Sequence, residues 1–317
     1  MHTGTYLDMK KQGTVRANLT IGFGNNLFQY CMARLLAERH GLFLEHRAIP
    51  EMGISQSVNP NPVPLSSLVI SDENYKKVLF SDLPDCNIVV NGYFEDFKVF
   101  KTFLSEIRRW FPSISITNKK DVILHLRLQN RLVQVSHNKN HITADSFKEA
   151  LQSFEYDRLH IVTDAEKWSP YTLEDIERIR HEISIGPNPP SNSPWVEPEQ
   201  SLEYINHLVE GFSDLEPVVH CNGKETIDGS GGLRDDFMDD FNLIRSFNQV
   251  IIFNSTFSWW AATLSGAEKV AIFSPWKIAK APKDRRNLGE TNYPGWFSWG
   301  SADDLYFKKY GIDRNEI

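Results

Sequence analysis

The chain has few cysteines, no long apolar run and no excess of positive charge, and each shortage excludes a class of protein. The three cysteines are too few and too scattered for a disulfide framework or a four-ligand zinc site, which favours a reducing compartment. No stretch approaches the roughly 20 apolar residues of a membrane span, and residues 1–16 lack the apolar segment of a signal peptide. The net charge of -7 argues against a nucleic-acid partner. We therefore expect no transmembrane segment and no nucleic-acid binding.

The order of predicted elements indicates an α/β fold with more than one domain. A chain of 317 residues exceeds the usual size of a single domain. A strand at 15–20, two glycines and a helix to about residue 40 open the first half. A strand at 87–94 and an amphipathic helix follow, and Phe111-Pro112 ends that helix. We place the domain boundary close by and predict domains at residues 1–117 and 118–317.

In the second half, strands and helices alternate more regularly, which is the signature of a doubly wound parallel sheet. The pattern predicts strands at 122–127, 159–163, 250–253 and 269–273. It predicts helices at 144–154, 172–183, 235–247 and 257–264. The second half is therefore expected to form a parallel sheet with helices on both faces.

The stretch 250–264 changes chemistry abruptly from apolar to polar and back. An apolar strand is followed by Asn254, Ser255 and Thr256, and then by a helix with two tryptophans. Small polar residues at this point can cap the helix and leave its first backbone N–H groups available, which is a site for phosphate. Since ligands of open α/β sheets lie beyond the carboxyl ends of strands, we consider a nucleotide site. The alternative is a plain capped helix.

Two other strand ends carry polar residues. His125 and Arg127 alternate on one strand, so both should point to the same side near its carboxyl end. The arginine can hold phosphate oxygens with its two-pronged guanidinium, and the histidine can bond a base, ribose or phosphate. The alternative is a core histidine and a surface ion pair. Asp164 ends a second strand, where either ligand binding or capping of the next helix is open.

Four separated motifs resemble one enzyme family. Residues 22–30 are similar to the G-x-G-N-x-x-F-Q-Y opening of the α1,2-fucosyltransferases, glycosyltransferase family 11. His125-x-Arg127 resembles the start of their H-x-R-R-G-D motif, and residues 92–94 resemble their G-Y-F segment. Residues 254–262 are similar to the family's N-S-T-F-S-W-W. The order and spacing of the motifs match over roughly residues 15 to 276.

The resemblance implies a GT-B fold, in which two Rossmann-like domains face each other across a cleft. It implies GDP-fucose as donor substrate, no cofactor, no metal, and inversion at the anomeric carbon. The first domain would bind a glycan acceptor and the second the GDP-sugar. The protein would act in the cytoplasm, or as the soluble part of a membrane-associated glycan-assembly system, with peripheral membrane association left open.

Carried over by position, the resemblance assigns roles to single residues. Arg127 would hold the diphosphate and act in catalysis, while His125 would contact the nucleotide. Asp240 lies where related enzymes keep an acid for the guanine edge. The remaining residues expected at the donor are Gly22, Gly24, Asn25, Asp164, Asn254, Ser255, Thr256 and Phe257.

The sequence also departs from the family. Leu128, Gln129 and Asn130 stand where relatives have a second arginine, a glycine and an aspartate. An asparagine cannot accept a proton as a carboxylate can, so Asn130 is expected to orient the acceptor rather than deprotonate it. Two alternatives stay open: the same fold with a different nucleotide sugar, and a catalytically silent protein that binds sugar nucleotides or glycans.

Overall fold

The computed structural model of the chain describes residues 12–20, 22–128, 143–185, 197–221, 237–252, 255–273 and 296–299. The chain divides into two compact units. The first comprises residues 1–96 and 103–112, and the second comprises residues 97–102 and 113–317. In the described residues no helix is long and apolar enough to cross a membrane.

The first unit is built on a parallel sheet of four strands in the order β2-β1-β4-β3. Its strands are β1 (Thr14–Ala17), β2 (Phe43–Glu45), β3 (Ser67–Ile70) and β4 (Asn87–Val90). Its helices are α1 (Phe23–His40), α2 (Tyr75–Leu79) and α4 (Leu104–Arg109), with a 3-10 turn at Pro50–Met52.

Helix α1 follows β1 directly and confirms the predicted strand, glycine turn and helix. Apolar residues at helical spacing form its core face and are almost fully buried, namely Leu27, Phe28, Cys31, Leu35 and Leu36. The helix ends at Gly41, whose φ of 65° only glycine adopts readily and whose N–H bonds the carbonyl of Ala37.

The single helix predicted after β4 is wrong, because the structure has two. Helix α3 (Phe97–Thr102) belongs to the second unit and α4 to the first, with Phe103 between them. Phe100 and Ile107 are both fully buried, but each is buried in a different unit. One straight helix cannot serve two cores, so the periodic pattern is interrupted.

The second unit has a parallel sheet of six strands in the order β10-β9-β8-β5-β6-β7. The strands are β5 (Asn118–Leu126), β6 (Leu159–Thr163), β7 (Val218–Cys221), β8 (Phe247–Ile252), β9 (Lys269–Phe273) and β10 (Trp296–Trp299). The helices are α5 (Ala144–Leu151), α6 (Leu173–Ile185), α7 (Pro198–Gly211), α8 (Phe237–Arg245) and α9 (Thr256–Leu264), with a 3-10 turn at Ser213–Leu215.

The two faces of this sheet are covered by different helices. On β5, the alternate residues Val122, Leu124 and Leu126 join one core cluster with residues of α5, α6 and α7. His125 points to the other face, where its ring lies 5.6 Å from that of Phe257 on α9. Helices on both faces of a parallel sheet confirm the predicted α/β class with Rossmann-like units.

Candidate active site

The carboxyl ends of three neighbouring strands bring most of the predicted residues of the second unit to one edge. β5 lies between β8 and β6. His125 of β5 pairs with Ile252 of β8, and Leu126 pairs with Thr163 of β6. Arg127, Asp164 and Ser255 follow these paired positions within one to three residues, so they lie at the same edge of the sheet.

Arg127 is exposed, whereas its neighbours on both sides are buried. In the described part of the chain no carboxylate forms an ion pair with its guanidinium, which leaves the alternative of a surface salt bridge without support. Leu128, the next residue, is only 2% exposed and packs in the same core cluster as β5. The apolar residue that replaces the family's second arginine therefore completes the core.

Helix α9 begins at the same edge, and its first turn carries no acidic residue. Ser255 is the N-cap residue, with extended φ and ψ of -148° and 123°, and its carbonyl accepts the Trp259 N–H at 3.0 Å. Its side chain makes no cap bond, although it is only 2% exposed. Among the described residues, the Ser255 Oγ has no hydrogen-bond partner. A buried hydroxyl in this state costs stability, so a bound acceptor or donor group would satisfy it.

The start of α9 is held rigidly by buried aromatic residues. Trp259 and Trp260 are fully buried, and the ring of Phe100 contacts that of Trp260 at 5.8 Å. The first-turn backbone N–H groups of Thr256 and Phe257 point out of the N-terminus of the helix, as in any α-helix. The partial positive charge of this end favours an anion. The edge therefore combines the exposed guanidinium of Arg127 with the N-terminus of a helix.

An aromatic cluster extends the edge toward α8. Phe257 contacts His125 on β5 and two residues of α8: its ring lies 5.2 Å from Phe241 and 6.4 Å from Phe237. Asp240 belongs to the same helix and is 6% exposed. The structure thus brings His125 and Phe257 together, as the sequence predicts, and gives Asp240 a buried position on the neighbouring helix.

Asp164 accepts a backbone hydrogen bond across the two strand ends. Its Oδ1 lies 2.5 Å from the backbone nitrogen of Leu128, which donates to it. The alternative of a helix-capping Asp164 is wrong, because α6 begins at Leu173. Thr172 and Asp175 cap that helix reciprocally: each side chain accepts the backbone N–H of the other. Asp164 is a link between β5 and β6.

The residues of the G-x-G-N motif lie in the first unit, at the start of α1. Gly22 has a φ of 95° and no side-chain cap, and Gly24 and Asn25 form the first turn. Gln29 of the same motif is 1% exposed; its Oε1 accepts the Thr20 N–H at 2.9 Å, while its Nε2 donates to the Gly92 carbonyl at 3.0 Å. Gln29 therefore joins two motifs that are far apart in sequence, a role that local pattern does not reveal.

The G-Y-F segment leads into two carboxylates that are not solvated surface charges. Glu95 is 5% exposed. Asp96 accepts the Tyr75 hydroxyl at 2.5 Å and pairs with the Lys76 ammonium at 2.6 Å. Both partners of Asp96 come from α2, so this carboxylate links the segment to that helix.

Two predicted residues, Asn130 and Asn254, lie outside the described residues. Among the residues that are described, no group of three or more His, Cys, Asp or Glu side chains could hold a metal ion.

Comparison with known proteins supports the resemblance drawn from the motifs. Residues 221–297 match the model described as Glycosyl transferase family 11, a region that includes Asp240 and the 254–262 motif. A search of curated proteins finds no match. Among solved structures, the chain is similar to the fucosyltransferase NodZ from Bradyrhizobium, with 14% identity and a TM-score of 0.40 over 82% of this chain and 94% of that one. The family match agrees with the resemblance drawn from the motifs and covers residues 221–297 alone.

Proposed function

We propose, from the glycosyltransferase family 11 region at residues 221–297, that the protein transfers L-fucose from GDP-β-L-fucose to a hydroxyl of a glycan, forming an α1,2 linkage with inversion. The observation that carries the proposal is the edge at the ends of β5 and β8. There the exposed Arg127 and the N-terminus of α9 would supply donors for a diphosphate, together with the buried Ser255 hydroxyl, which has no hydrogen-bond partner in the described part of the chain.

The chemistry required at this edge is stabilisation of a leaving group. The acceptor oxygen bonds to the anomeric carbon as the bond from that carbon to the phosphate oxygen breaks, and the electron pair leaves with GDP. Negative charge therefore grows on the diphosphate. A guanidinium can meet two phosphate oxygens at once, and fixed N–H groups need no reorganisation as the charge develops. These groups would do what a metal ion does elsewhere, so we propose catalysis without one.

Nucleoside selection would come from the adjacent aromatic cluster and from Asp240. A carboxylate at that position can accept the two N–H groups of the guanine edge, which adenine does not present. His125 and Phe257, whose rings already contact each other, would line the nucleoside. Gly22, Gly24 and Asn25, which the resemblance assigns to the donor, lie in the first unit. We propose that this unit binds the acceptor.

Deprotonation of the acceptor is the step affected by Asn130, which stands where the family has an aspartate that could accept the proton. We propose that Asn130 orients the acceptor hydroxyl, and that the proton passes to solvent after the loose transition state has formed. Orientation is then the main contribution of this residue, and a strong base is not required.

Donor turnover tests the proposal without knowledge of the natural acceptor. The release of GDP from GDP-fucose, GDP-mannose and a UDP-sugar is compared in the presence of EDTA, first alone and then with a panel of β-galactosides. We expect GDP release to be fastest with GDP-fucose and to increase with an accepted glycan. Preference for GDP-mannose would show the same fold with another sugar. Binding of GDP with no turnover on any donor or acceptor would support a silent binding protein instead.

A further inference from the structure

The turn after β6 ties the carboxyl ends of three strands together through its own backbone and side chains. Ala165 donates its backbone N–H to the Thr163 Oγ1 at 3.1 Å, which closes the turn. The Ala165 carbonyl accepts the Cys221 thiol at 2.6 Å, at the end of β7. Asp164, between them, reaches the other way and accepts the Leu128 N–H just beyond β5. The turn is therefore fixed on both sides.

The bond to Leu128 determines where the chain goes immediately after Arg127. On the N-terminal side, Leu126 is held in the sheet by its pairing with Thr163. On the C-terminal side, the Leu128 N–H is held by Asp164 and its side chain by the core. Arg127 is thus anchored at both flanking residues, while its own guanidinium is exposed and forms no ion pair among the described residues.

We propose that Asp164 is a positioning residue for Arg127 and acts through the Leu128 N–H rather than by contacting the nucleotide. The inference rests on the proposed function, since it assumes that Arg127 binds the donor diphosphate. A bidentate guanidinium contact depends on direction as well as distance, and a shift of its backbone lowers its value. Loss of the Asp164 carboxylate would free the main chain at the residue after Arg127 and leave a buried N–H without its acceptor.

The bond to Leu128 distinguishes the acceptor oxygen of Asp164 from its negative charge. For the bond to the Leu128 N–H, the acceptor oxygen of Asp164 is required and its negative charge is not, because that N–H belongs to a neutral amide. Asparagine keeps an oxygen at the same position and can accept the same bond. Asp164→Asn should therefore preserve function, whereas Asp164→Ala should not. A carboxylate that contacted the ribose hydroxyls or the phosphate directly would behave differently. Its loss would change GDP affinity even in a chain that lacks Arg127.

The test is a double-mutant cycle with GDP affinity as its readout, measured by calorimetry on the full chain. The variants are Asp164→Ala, Asp164→Asn, Arg127→Ala and the double alanine variant. We expect Asp164→Ala to weaken GDP binding by about tenfold and Asp164→Asn by about threefold or less. In the Arg127→Ala background, Asp164→Ala should have no further effect, because its route of action has been removed.

Asp175→Ala is the matched control. Its carboxylate also accepts a backbone N–H, that of Thr172 at 2.7 Å, but at the start of α6. We expect it to lower the unfolding midpoint while leaving GDP affinity unchanged. If Asp164→Ala fails to fold, Asp164→Asn is made in both the wild-type and the Arg127→Ala chain. In the wild-type chain we expect GDP affinity to be retained. In the Arg127→Ala chain we expect no loss of GDP affinity beyond that caused by Arg127→Ala alone.

Three results would overturn the inference. An equal loss from Asp164→Ala with and without Arg127 would mean that Asp164 contacts the nucleotide itself. Wild-type GDP affinity in Asp164→Ala would make the bond purely structural. A large loss in Asp164→Asn would show that the charge is needed. Failure of the proposed function is distinguishable. A wild-type chain that does not bind GDP would remove the donor site itself, whereas GDP binding without fucose transfer would refute the transfer and leave the double-mutant cycle measurable.

Discussion

Replacement of Ser255 by alanine should leave the stability of the ligand-free protein unchanged or raise it, and should weaken GDP binding. Its hydroxyl is 2% exposed, makes no cap bond to α9 and has no partner among the described residues. Burying an unsatisfied polar group costs about 1–3 kcal/mol. The alanine variant removes that cost and sacrifices no capping bond, so the ligand-free protein should be unchanged or up to about 1 kcal/mol more stable.

The same substitution should weaken donor binding, because the hydroxyl would bond a phosphate oxygen in the complex. Hydrogen bonds to charged groups contribute about 1.5–3 kcal/mol, so we expect GDP affinity to fall by roughly tenfold to a hundredfold. Urea unfolding of the ligand-free chain and calorimetric titration with GDP measure the two effects separately.

Thr143→Ala is the matched control, since Thr143 is the N-cap residue of α5 and its Oγ1 does accept the Ser146 N–H at 3.2 Å. It should cost about 1 kcal/mol of stability and leave GDP binding intact. If Ser255→Ala instead behaves like this control, losing stability and retaining GDP affinity, then Ser255 is an ordinary cap and the reasoning about its unsatisfied hydroxyl is refuted.

Two further substitutions test charge at defined positions. Arg127→Lys should bind GDP at least about tenfold more weakly than wild type, because an ammonium cannot form the two-pronged contact; affinity equal to wild type in calorimetry would mean that only a positive charge is needed. Burial and the neighbouring His160 lower the pKa of His220, while Asp121 and Arg158 lie on the far side of His160. The unfolded chain therefore takes up this proton more readily than the folded one, so stability is lost as pH falls below about 6.5. His220→Gln should reduce that loss in urea unfolding at pH 7.5 and 5.5, and an undiminished loss in the variant would contradict the assignment.

The elements that the sequence predicts well are those with a strong local pattern. Strands β6 and β9 begin and end at the predicted residues, since short β-branched runs are bounded by polar residues. The predicted helix at 235–247 is too long: α8 ends at Arg245, and Phe247 starts β8. The Ser246 N–H closes the helix, and the Ser246 carbonyl accepts the N–H groups of Thr117 and Asn118 at the start of β5. That contact spans over a hundred residues, so no local pattern contains it.

One missed element could have been found. Helix α7 carries Leu202, Ile205, Leu208 and Val209 at helical spacing after Pro198, which is a usual first residue of a helix. Its apolar face packs in the core with α5 and α6.

In the candidate site too, the sequence predicts local features but not contacts between distant segments. Motifs at the ends of β5 and β8 predict which residues gather at the edge, because parallel strands end together. The partner of Asp164 is a backbone N–H on another strand, and sequence spacing carries no information about it. The enclosure of Asp96 by Tyr75 and Lys76 is likewise visible only once β4 and α2 are packed.

Calorimetric titration of the wild-type chain with GDP in the presence of EDTA measures whether the proposed site holds a diphosphate without metal. We expect metal-independent binding, because Arg127 and the N-terminus of α9 neutralise the diphosphate. We expect ADP to bind at least about tenfold more weakly, because adenine lacks the N–H groups for Asp240. Absence of GDP binding, binding that requires magnesium, or equal affinity for GDP and ADP would contradict these expectations.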